Sequence, residues 1–182
     1  ARWDVDYVPP GVDSGSAQRT RHGGFVVGAE LFDQVRFSIS PAEAVAMDPQ
    51  QRVMLEVGYS ALHASGNDKS TLNGSDAGVA LGIYATEFND ILGNSPLGLS
   101  VYGATGASLS ISSGRLSFVL GLHGPCASFE TACSAALVAC HSAVRALQYG
   151  ECKTHLASGV NLMLQQWSSV GMAVAGMTSQ MG

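Results

Sequence analysis

Hydrophobic positions along this 182-residue chain follow two different periods. Short apolar runs occupy residues 76–84, 126–129 and 155–164, and each predicts a strand; the first two are predicted to be buried in a sheet. Helical spacing appears between these runs, after Asp48 and across residues 107–120. A third helix is predicted after residue 132 by one apolar face, formed by Cys133, Leu137, Cys140, Val144 and Leu147. Alternation of strands and helices is typical of a layered α/β domain.

Helix starts are predicted by two similar tetrapeptides. Ser40-Pro41-Ala42-Glu43 and Asp48-Pro49-Gln50-Gln51 each combine a capping residue, a proline at the first helical position and an acidic or amide side chain at the third. We therefore interpret DPQQR as a well-capped helix start rather than as a catalytic motif.

The remaining segments carry weaker patterns. Residues 23–27 are compatible with a short strand, and residues 165–182 show no clear signal. Gly, Pro, Ser and Asn are frequent in residues 1–22, 67–75 and 85–105, so these segments are predicted to be loops.

Candidate chemistry is concentrated in residues 124–150, which predict a strand, a tight elbow and a helix that ends at Gly150. The elbow places Cys133 in the first turn of that helix, where unpaired N–H groups and the helix dipole favour a thiolate. Small residues surround the thiol, and the N–H of Cys133 could help to hold an oxyanion. The alternative is that Cys133 only packs, because free cysteine is often buried.

The other cysteines are better explained without chemistry. Cys126 and Cys140 are expected to be small core residues, and Cys152 is expected in a turn. The sequence contains no CxxC pair, so a metal site is not indicated. It contains no secretion signal, so a disulfide framework is not indicated either.

Composition narrows the class of protein further. Hydrophobic residues make up 46% of the chain and charged residues 13%, so much of it is expected to be buried. A net charge of -5 gives no reason to expect nucleic-acid or anionic membrane binding. No apolar run approaches the roughly 20 residues of a membrane span. We therefore expect an intracellular, cytoplasmic location.

Four segments together resemble one protein family. Residues 130–139, ETACSAALVA, resemble the DTACSSSLVA signature of the β-ketoacyl synthase domains of polyketide synthases. Residues 23–66 are similar to the family's DPQQR segment, residues 102–118 to its TGxxxSxxxxRLSY helix, and residues 150–164 to its GECDxALAGGVNLML. Glu130 replaces the usual Asp, and Ala135 and Ala136 replace two serines, which leaves the nucleophile in place.

The resemblance implies a fold and an activity. The fold would be thiolase-like, with αβαβα layers, and residues 1–182 would form one partial domain, the N-terminal half. Its first strand and its C-terminal half would lie outside this sequence. Cys133 would take an acyl group from the phosphopantetheine arm of an acyl carrier protein. Decarboxylative Claisen condensation with a malonyl-type extender would follow, and no bound cofactor or metal is implied.

The histidines that the family uses for condensation are not expected here. They occur in HGTGT and NxGH motifs, and neither motif is in this sequence. His141 lies eight residues beyond Cys133, about 12 Å along a helix axis, and is too far to reach the thiol. The other four match no catalytic motif and are expected to be surface or structural residues: His22, His63, His123 and His155. The 182-residue chain alone is therefore expected to be inactive.

The resemblance also implies a homodimer. In the family, the strand before the nucleophile, here Cys126 to Phe129, pairs antiparallel with its own copy, and residues 102–108 approach the partner's site. Three alternatives stay open: a fatty-acid ketosynthase, a non-catalytic scaffold subunit that keeps the fold, and a thiolase. The DPQQR segment favours a polyketide ketosynthase over a fatty-acid ketosynthase. The presence of Cys133 argues against a non-catalytic scaffold subunit. Apart from a cysteine, nothing in the chain indicates a thiolase.

Overall fold

The computed structural model describes residues 4, 6–84 and 87–179. The chain divides into two compact units, residues 29–162 and residues 1–28 together with 163–182. Three segments discussed above lie partly outside the described residues: the predicted loops at 1–22 and 85–105, and the segment without a signal at 165–182. The single partial domain over residues 1–182 stays a prediction.

A parallel three-stranded sheet forms the centre of the larger unit. It contains β1 (Gly78–Ile83), β2 (Cys126–Phe129) and β3 (His155–Val160) in the spatial order β2-β1-β3. All six residues of β1 are buried, because β1 is the central strand. The three strands therefore lie within the segments that the apolar runs predict. β2 is nevertheless an edge strand whose first residues are exposed, so its prediction as buried is wrong.

Two long helices cover one face of the sheet. They are α3 (Pro49–Ala64) and α7 (Leu109–Leu120), and both contact the strands. Side chains of a strand alternate between faces, so Val79, Leu81 and Ile83 point to the same side. These three side chains join the main hydrophobic cluster, which includes Leu55, Tyr59, Leu62, Leu116 and Leu120.

On the other face of the sheet, α8 (Ala135–Gln148) contacts all three strands. Its side chains meet Ala80 of β1, which points to the face opposite Val79 and Leu81. Helix, sheet and helix thus form three layers, which confirms the predicted α/β class. Gly150, at φ 72°, follows α8 as the predicted stop.

The buried face of α8 differs from the predicted one. Its buried residues are small: Ala135, Ala139, Ala143 and Ala146. The predicted apolar face points outward, and Leu137 is 73% exposed. Glycines on the sheet explain this choice, because Gly82 and Gly159 are register partners on adjacent strands beneath the start of α8. Backbone packs against backbone there, which only the alanine face allows.

Both predicted helix starts are correct, but their third residues have another role. Ser40 accepts a hydrogen bond from the Glu43 N–H at 3.2 Å before α2 (Pro41–Ala46). Asp48 accepts from the Gln50 N–H at 2.7 Å before α3. The side chains of Glu43 and Gln51, expected to close the capping boxes, instead bind Arg115 of α7.

Short helices occur where loops were predicted. In the larger unit these are α4 (Lys69–Leu72), α5 (Glu87–Gly93), a 3-10 turn (Pro96–Leu99) and α6 (Gly103–Gly106). Four to seven residues are too few for a helical period to be recognised. The predicted strand at residues 23–27 is wrong, since residues 23–26 have no regular secondary structure and residue 27 lies in a turn.

The smaller unit contains two helices that pack together, α1 (Ser14–Arg19) and α9 (Gln166–Val174). Asp13 caps α1 by accepting from the Ser16 N–H at 2.9 Å. The Gln166 side chain donates to the carbonyl of Tyr7 at 2.9 Å. The sequence pattern predicts a loop for the first helix and gives no signal for the second.

Candidate active site

The elbow between β2 and α8 is a strained turn. The chain leaves the sheet after Phe129, passes through a 3-10 turn at Ala132–Ser134 and enters α8 at Ala135. Ala132 has φ 51°, in the left-handed region that residues other than glycine rarely occupy. Such backbone strain persists only where the surrounding structure holds it, and it is concentrated at functional sites.

Ser134 and Thr131 hold the turn closed around Cys133. The Ser134 hydroxyl donates to the Thr131 carbonyl at 2.8 Å and lies 2.9 Å from the Thr131 hydroxyl. The Ser134 N–H also donates to the Thr131 carbonyl at 3.3 Å. These bonds span the residue whose thiol the sequence predicts as nucleophile, so the position of that thiol is set by local structure.

Cys133 is exposed at the carboxyl ends of the parallel strands. Ligands of open α/β sheets characteristically bind at this edge. An open groove with a volume of about 550 Å³ runs beside the elbow between α7 and β2, and its lining includes Ile83, Leu109, Ser128 and Glu130. The arrangement gives a small molecule access to the region before the thiol.

The other cysteines differ from the sequence-based expectation. Cys126 and Cys140 are exposed, so their prediction as core residues is wrong. Cys126 lies on the edge strand, and Cys140 lies on the outward face of α8. Cys152 is buried in the loop before β3, and burial raises the pKa of its thiol. Among the described residues, no group of His, Cys, Asp and Glu is arranged to hold a metal ion.

The histidines lie as the sequence suggests. His22, His63, His123 and His141 are exposed. His155 is half-buried at the start of β3, with its ring against Gly78. His155 lies at the amino ends of the parallel strands, whereas the elbow lies at their carboxyl ends.

A buried polar network on α7 was not predicted from the sequence. Arg115 is 8% exposed and donates from Nε to the Gln51 side chain at 2.7 Å. Its Nη1 pairs with the Glu43 carboxylate at 2.5 Å. The Gln51 amide in turn donates to the carbonyls of Thr105 and Ser108. The available signal was that Arg115 is the only charged residue of α7.

A second buried polar group lies at the start of α3. Burial raises the pKa of Asp48, against the effect of the Gln50 hydrogen bonds and of the Arg52 charge. Burial also lowers the pKa of Arg52. Within the part of the chain that the structure describes, neither Asp48 Oδ2 nor Arg52 Nε has a hydrogen-bond partner. The start of α3 therefore contains charges that folding has removed from water.

No helix of the described residues has the length and apolar composition needed to cross a membrane.

Comparison with known proteins agrees with this architecture. Residues 1–182 match the family "Beta-ketoacyl synthase, N-terminal domain". The chain is 48% identical over 162 residues to the phenolphthiocerol synthesis polyketide synthase type I Pks15/1 of Mycobacterium bovis, covering 88% of this chain and 8% of that protein. It is 44% identical over 162 residues to the pikromycin polyketide synthase component PikAII of Streptomyces venezuelae, covering 88% of this chain and 4% of that protein.

A solved ketosynthase has the same fold. The chain matches the ketosynthase from module 6 of the bacillaene synthase from Bacillus subtilis 168, a cysteine-to-serine mutant, with a TM-score of 0.82 and 36% identity. The match covers 100% of this chain and 29% of that structure.

The chain therefore belongs to the β-ketoacyl synthase family and corresponds to its N-terminal domain. Its relatives are ketosynthase regions of type I polyketide synthases, and its fold is the thiolase-like fold of those domains. The chain spans 8% and 4% of the lengths of the two polyketide synthases described above, so it matches a small part of each.

Proposed function

We propose that the complete protein is a β-ketoacyl synthase of polyketide biosynthesis in which Cys133 carries the growing acyl chain. The observation that supports this assignment most strongly is the position of Cys133. It is an exposed thiol at a strained elbow, at the carboxyl edge of a parallel sheet and before a helix. Cys126 and Cys140 are also exposed, but neither follows such a turn.

In the first proposed step, the Cys133 thiolate attacks the carbonyl of an acyl thioester. A bond forms between the Cys133 sulfur and the acyl carbon, and the bond between the acyl carbon and the carrier's sulfur breaks. The carrier leaves as a thiolate and takes up the proton that the Cys133 thiol lost on ionising. The N–H of Cys133 stabilises the oxyanion that forms in between, as backbone donors do in acyl transfer. The acyl group arrives on the phosphopantetheine arm of an acyl carrier protein, so the ketosynthase itself needs no bound organic cofactor or metal.

In the second proposed step, a malonyl-type extender loses carbon dioxide, and the resulting carbanion attacks the acyl carbon on Cys133. A carbon–carbon bond forms, and the bond from the acyl carbon to sulfur breaks. We propose that two histidines outside this sequence assist decarboxylation and attack. The 182-residue chain alone would then acylate at most slowly and would not condense.

We further propose that the complete domain is a homodimer through β2. The Val79 N–H donates to the Pro125 carbonyl at 2.8 Å. Parallel strands bond a neighbour through alternate residues, so the N–H and C=O groups of Cys126 and Ser128 face the open edge of the sheet. An unpaired edge favours association with another strand, and a second copy can provide one.

Replacing Cys133 in the complete ketosynthase domain tests the proposed nucleophile. After incubation with acyl-loaded carrier protein, intact-protein mass spectrometry should detect an acyl adduct on the wild type and none on Cys133→Ala. Cys126→Ala and Cys140→Ala are matched controls and should retain the adduct. An unchanged adduct on Cys133→Ala would favour the non-catalytic scaffold subunit or another nucleophile.

A further inference from the structure

Two serine hydroxyls join α7 to the strand that leads to the elbow. Ser128 of β2 donates from its hydroxyl to the Ser113 hydroxyl of α7 at 2.9 Å. The Ser113 N–H also donates to the Ser128 oxygen at 3.3 Å. Ser113 is 1% exposed, so the contact is shielded from water at its helical end.

Ser128 lies at a position where a small movement would be transmitted to Cys133. It is the third of the four residues of β2, and the chain turns away from the sheet directly after Phe129. Backbone bonds hold β2 to β1 on one side, and its other side is the edge of the sheet. The Ser113 contact therefore adds a restraint from a different direction, across the face that α7 covers.

The helical end of this contact is itself fixed. Arg115, two residues beyond Ser113, binds the side chains of Gln51 and Glu43 at the starts of α3 and α2. Arg115 is the buried partner of this ion pair and Glu43 is half-buried. A shift of α7 would leave the Arg115 charge unpaired in a poorly solvated region, so the pair tolerates little displacement. α7 thus gives Ser113 a defined position against which Ser128 is held.

We infer that the Ser113–Ser128 pair positions the Cys133 elbow for acyl transfer. Both serines line the groove beside the elbow, but their side chains bond each other, so we assign them as positioning residues that act through β2 and the turn. This inference rests on the proposed function, because it assumes that Cys133 is the acylated thiol. Catalytic rates are sensitive to small displacements of a reacting group, whereas substrate binding away from that group is not.

The test uses the complete ketosynthase domain and an acyl thioester of N-acetylcysteamine as acyl donor. Ser113→Ala and Ser128→Ala are compared with Ser112→Ala, an adjacent buried serine on α7 whose hydroxyl donates to the Ser108 carbonyl. We expect both variants of the pair to acylate Cys133 about 10-fold more slowly at saturating donor. We expect an unchanged half-saturating donor concentration for both. Ser112→Ala should keep the wild-type acylation rate even if its melting temperature falls as much as those of Ser113→Ala and Ser128→Ala.

Two further variants separate positioning from simple loss of packing. Ser128→Thr keeps the hydroxyl and should restore most of the rate. The double variant Ser113→Ala/Ser128→Ala should be no slower than either single variant, because the two side chains act as one unit. Wild-type rates in both single variants would overturn the inference, as would equal rate losses in Ser112→Ala.

Failure of the proposed function would be recognised separately in the same assay. If Cys133→Ala kept its acyl adduct, the assignment of the nucleophile would fall, and with it the basis of this inference. If Cys133→Ala lost the adduct while the Ser113 and Ser128 variants acylated normally, only the positioning role would be refuted.

Discussion

A Cβ atom on Gly82 would lie 2.6 Å from the Cα atom of Ala136. The central strand and the first turn of α8 are therefore in direct backbone contact, two residues after Ser134. Real Cβ atoms do not approach other atoms so closely, so a side chain at position 82 requires the helix to move. The contact sets the height of the helix start above the sheet, and hence the location of the elbow.

The first prediction follows from that contact. Gly82→Ala should destabilise the complete domain by about 3 kcal/mol, because overpacking against backbone cannot be relieved by a side-chain rotation. Gly93→Ala is the matched control, since a Cβ atom at that position would meet no other atom within 4 Å. Urea unfolding followed by circular dichroism measures both. Equal stabilities of the two variants would show that α8 is free to shift.

The second prediction concerns the strained residue before the nucleophile. Ala132→Gly should leave the domain as stable as the wild type or up to about 1 kcal/mol more stable, because glycine accepts positive φ. Its rate of acyl loading should nevertheless fall, since the more flexible turn holds the thiol less firmly. Ser38→Gly is the control, because Ser38 also has positive φ, at 56°, in a turn far along the chain. A normal loading rate in Ala132→Gly would contradict a role for the strain.

The third prediction concerns the relative reactivity of the cysteines. Cys133 should react with iodoacetamide faster than the others in the complete domain, and Cys152 should react slowest, because its thiol is buried and has a raised pKa. Peptide mapping by mass spectrometry at early times gives the four rates. Labelling in urea, where all four thiols are equally accessible, is the control.

Cys140 offers a second readout in the same experiment. It is exposed on the outward face of α8 beside the apolar Leu137 and Val144. We expect the rest of the complete domain to cover this face, so Cys140 should label faster in the 182-residue chain than in the complete domain. Faster labelling of Cys126, Cys140 or Cys152 than of Cys133 in the complete domain would contradict the proposed site.

The fourth prediction concerns assembly. Ala127→Lys in the complete domain should weaken dimerisation and acyl loading together, because it adds a charge to the exposed strand edge. The monomer can solvate that lysine, so the fold should be preserved. Val57→Lys, on the exposed side of α3, is the control and should remain dimeric. Sedimentation velocity at micromolar concentration measures the oligomeric state of each variant. A monomeric variant with a normal loading rate would separate the interface from the site.

The fifth prediction uses two helix-capping carboxylates, Asp48 and Asp68, whose pKa values are shifted in opposite directions. Burial raises the pKa of Asp48, whereas the Ser70 hydroxyl and nearby N–H groups lower the pKa of Asp68. A raised pKa in the folded state means that stability is lost as the pH rises through it. A lowered pKa means that stability is present above the ordinary carboxyl pKa and is lost as the pH falls through the lowered value.

Asn keeps the capping oxygen at both positions but does not titrate. Relative to the wild type, Asp48→Asn should therefore gain stability as the pH rises from about 4 to about 7, because only the wild type loses stability through the raised pKa. Asp68→Asn should gain stability relative to the wild type as the pH falls from about 4 to about 2, and the difference between the two should hardly change from about pH 4 to about pH 7. The free energy of unfolding in urea at the three pH values measures each difference. A parallel response of both variants would contradict the assigned environments.

The sequence by itself determined the order of the main elements and the candidate nucleophile. Apolar runs located all three strands, although the paired part of β3 ends earlier than its run, at Val160. Ser40 and Asp48 correctly marked two helix starts. These features are local, because strand periodicity and capping depend on neighbouring residues. The residues around Cys133 also predicted the elbow before α8, although nothing local indicated the positive φ of Ala132.

Only the tertiary structure decided which face of α8 is buried and where polar side chains are directed. Hydrophobicity favoured Leu137 and Val144 for the core, but Gly82 and Gly159 leave room only for alanine against the sheet. Glu43 and Gln51 looked like local capping residues, yet both bind Arg115, which is 72 and 64 residues away along the chain. Such choices depend on how closely two distant backbones approach each other, and a sequence pattern contains no measure of that distance.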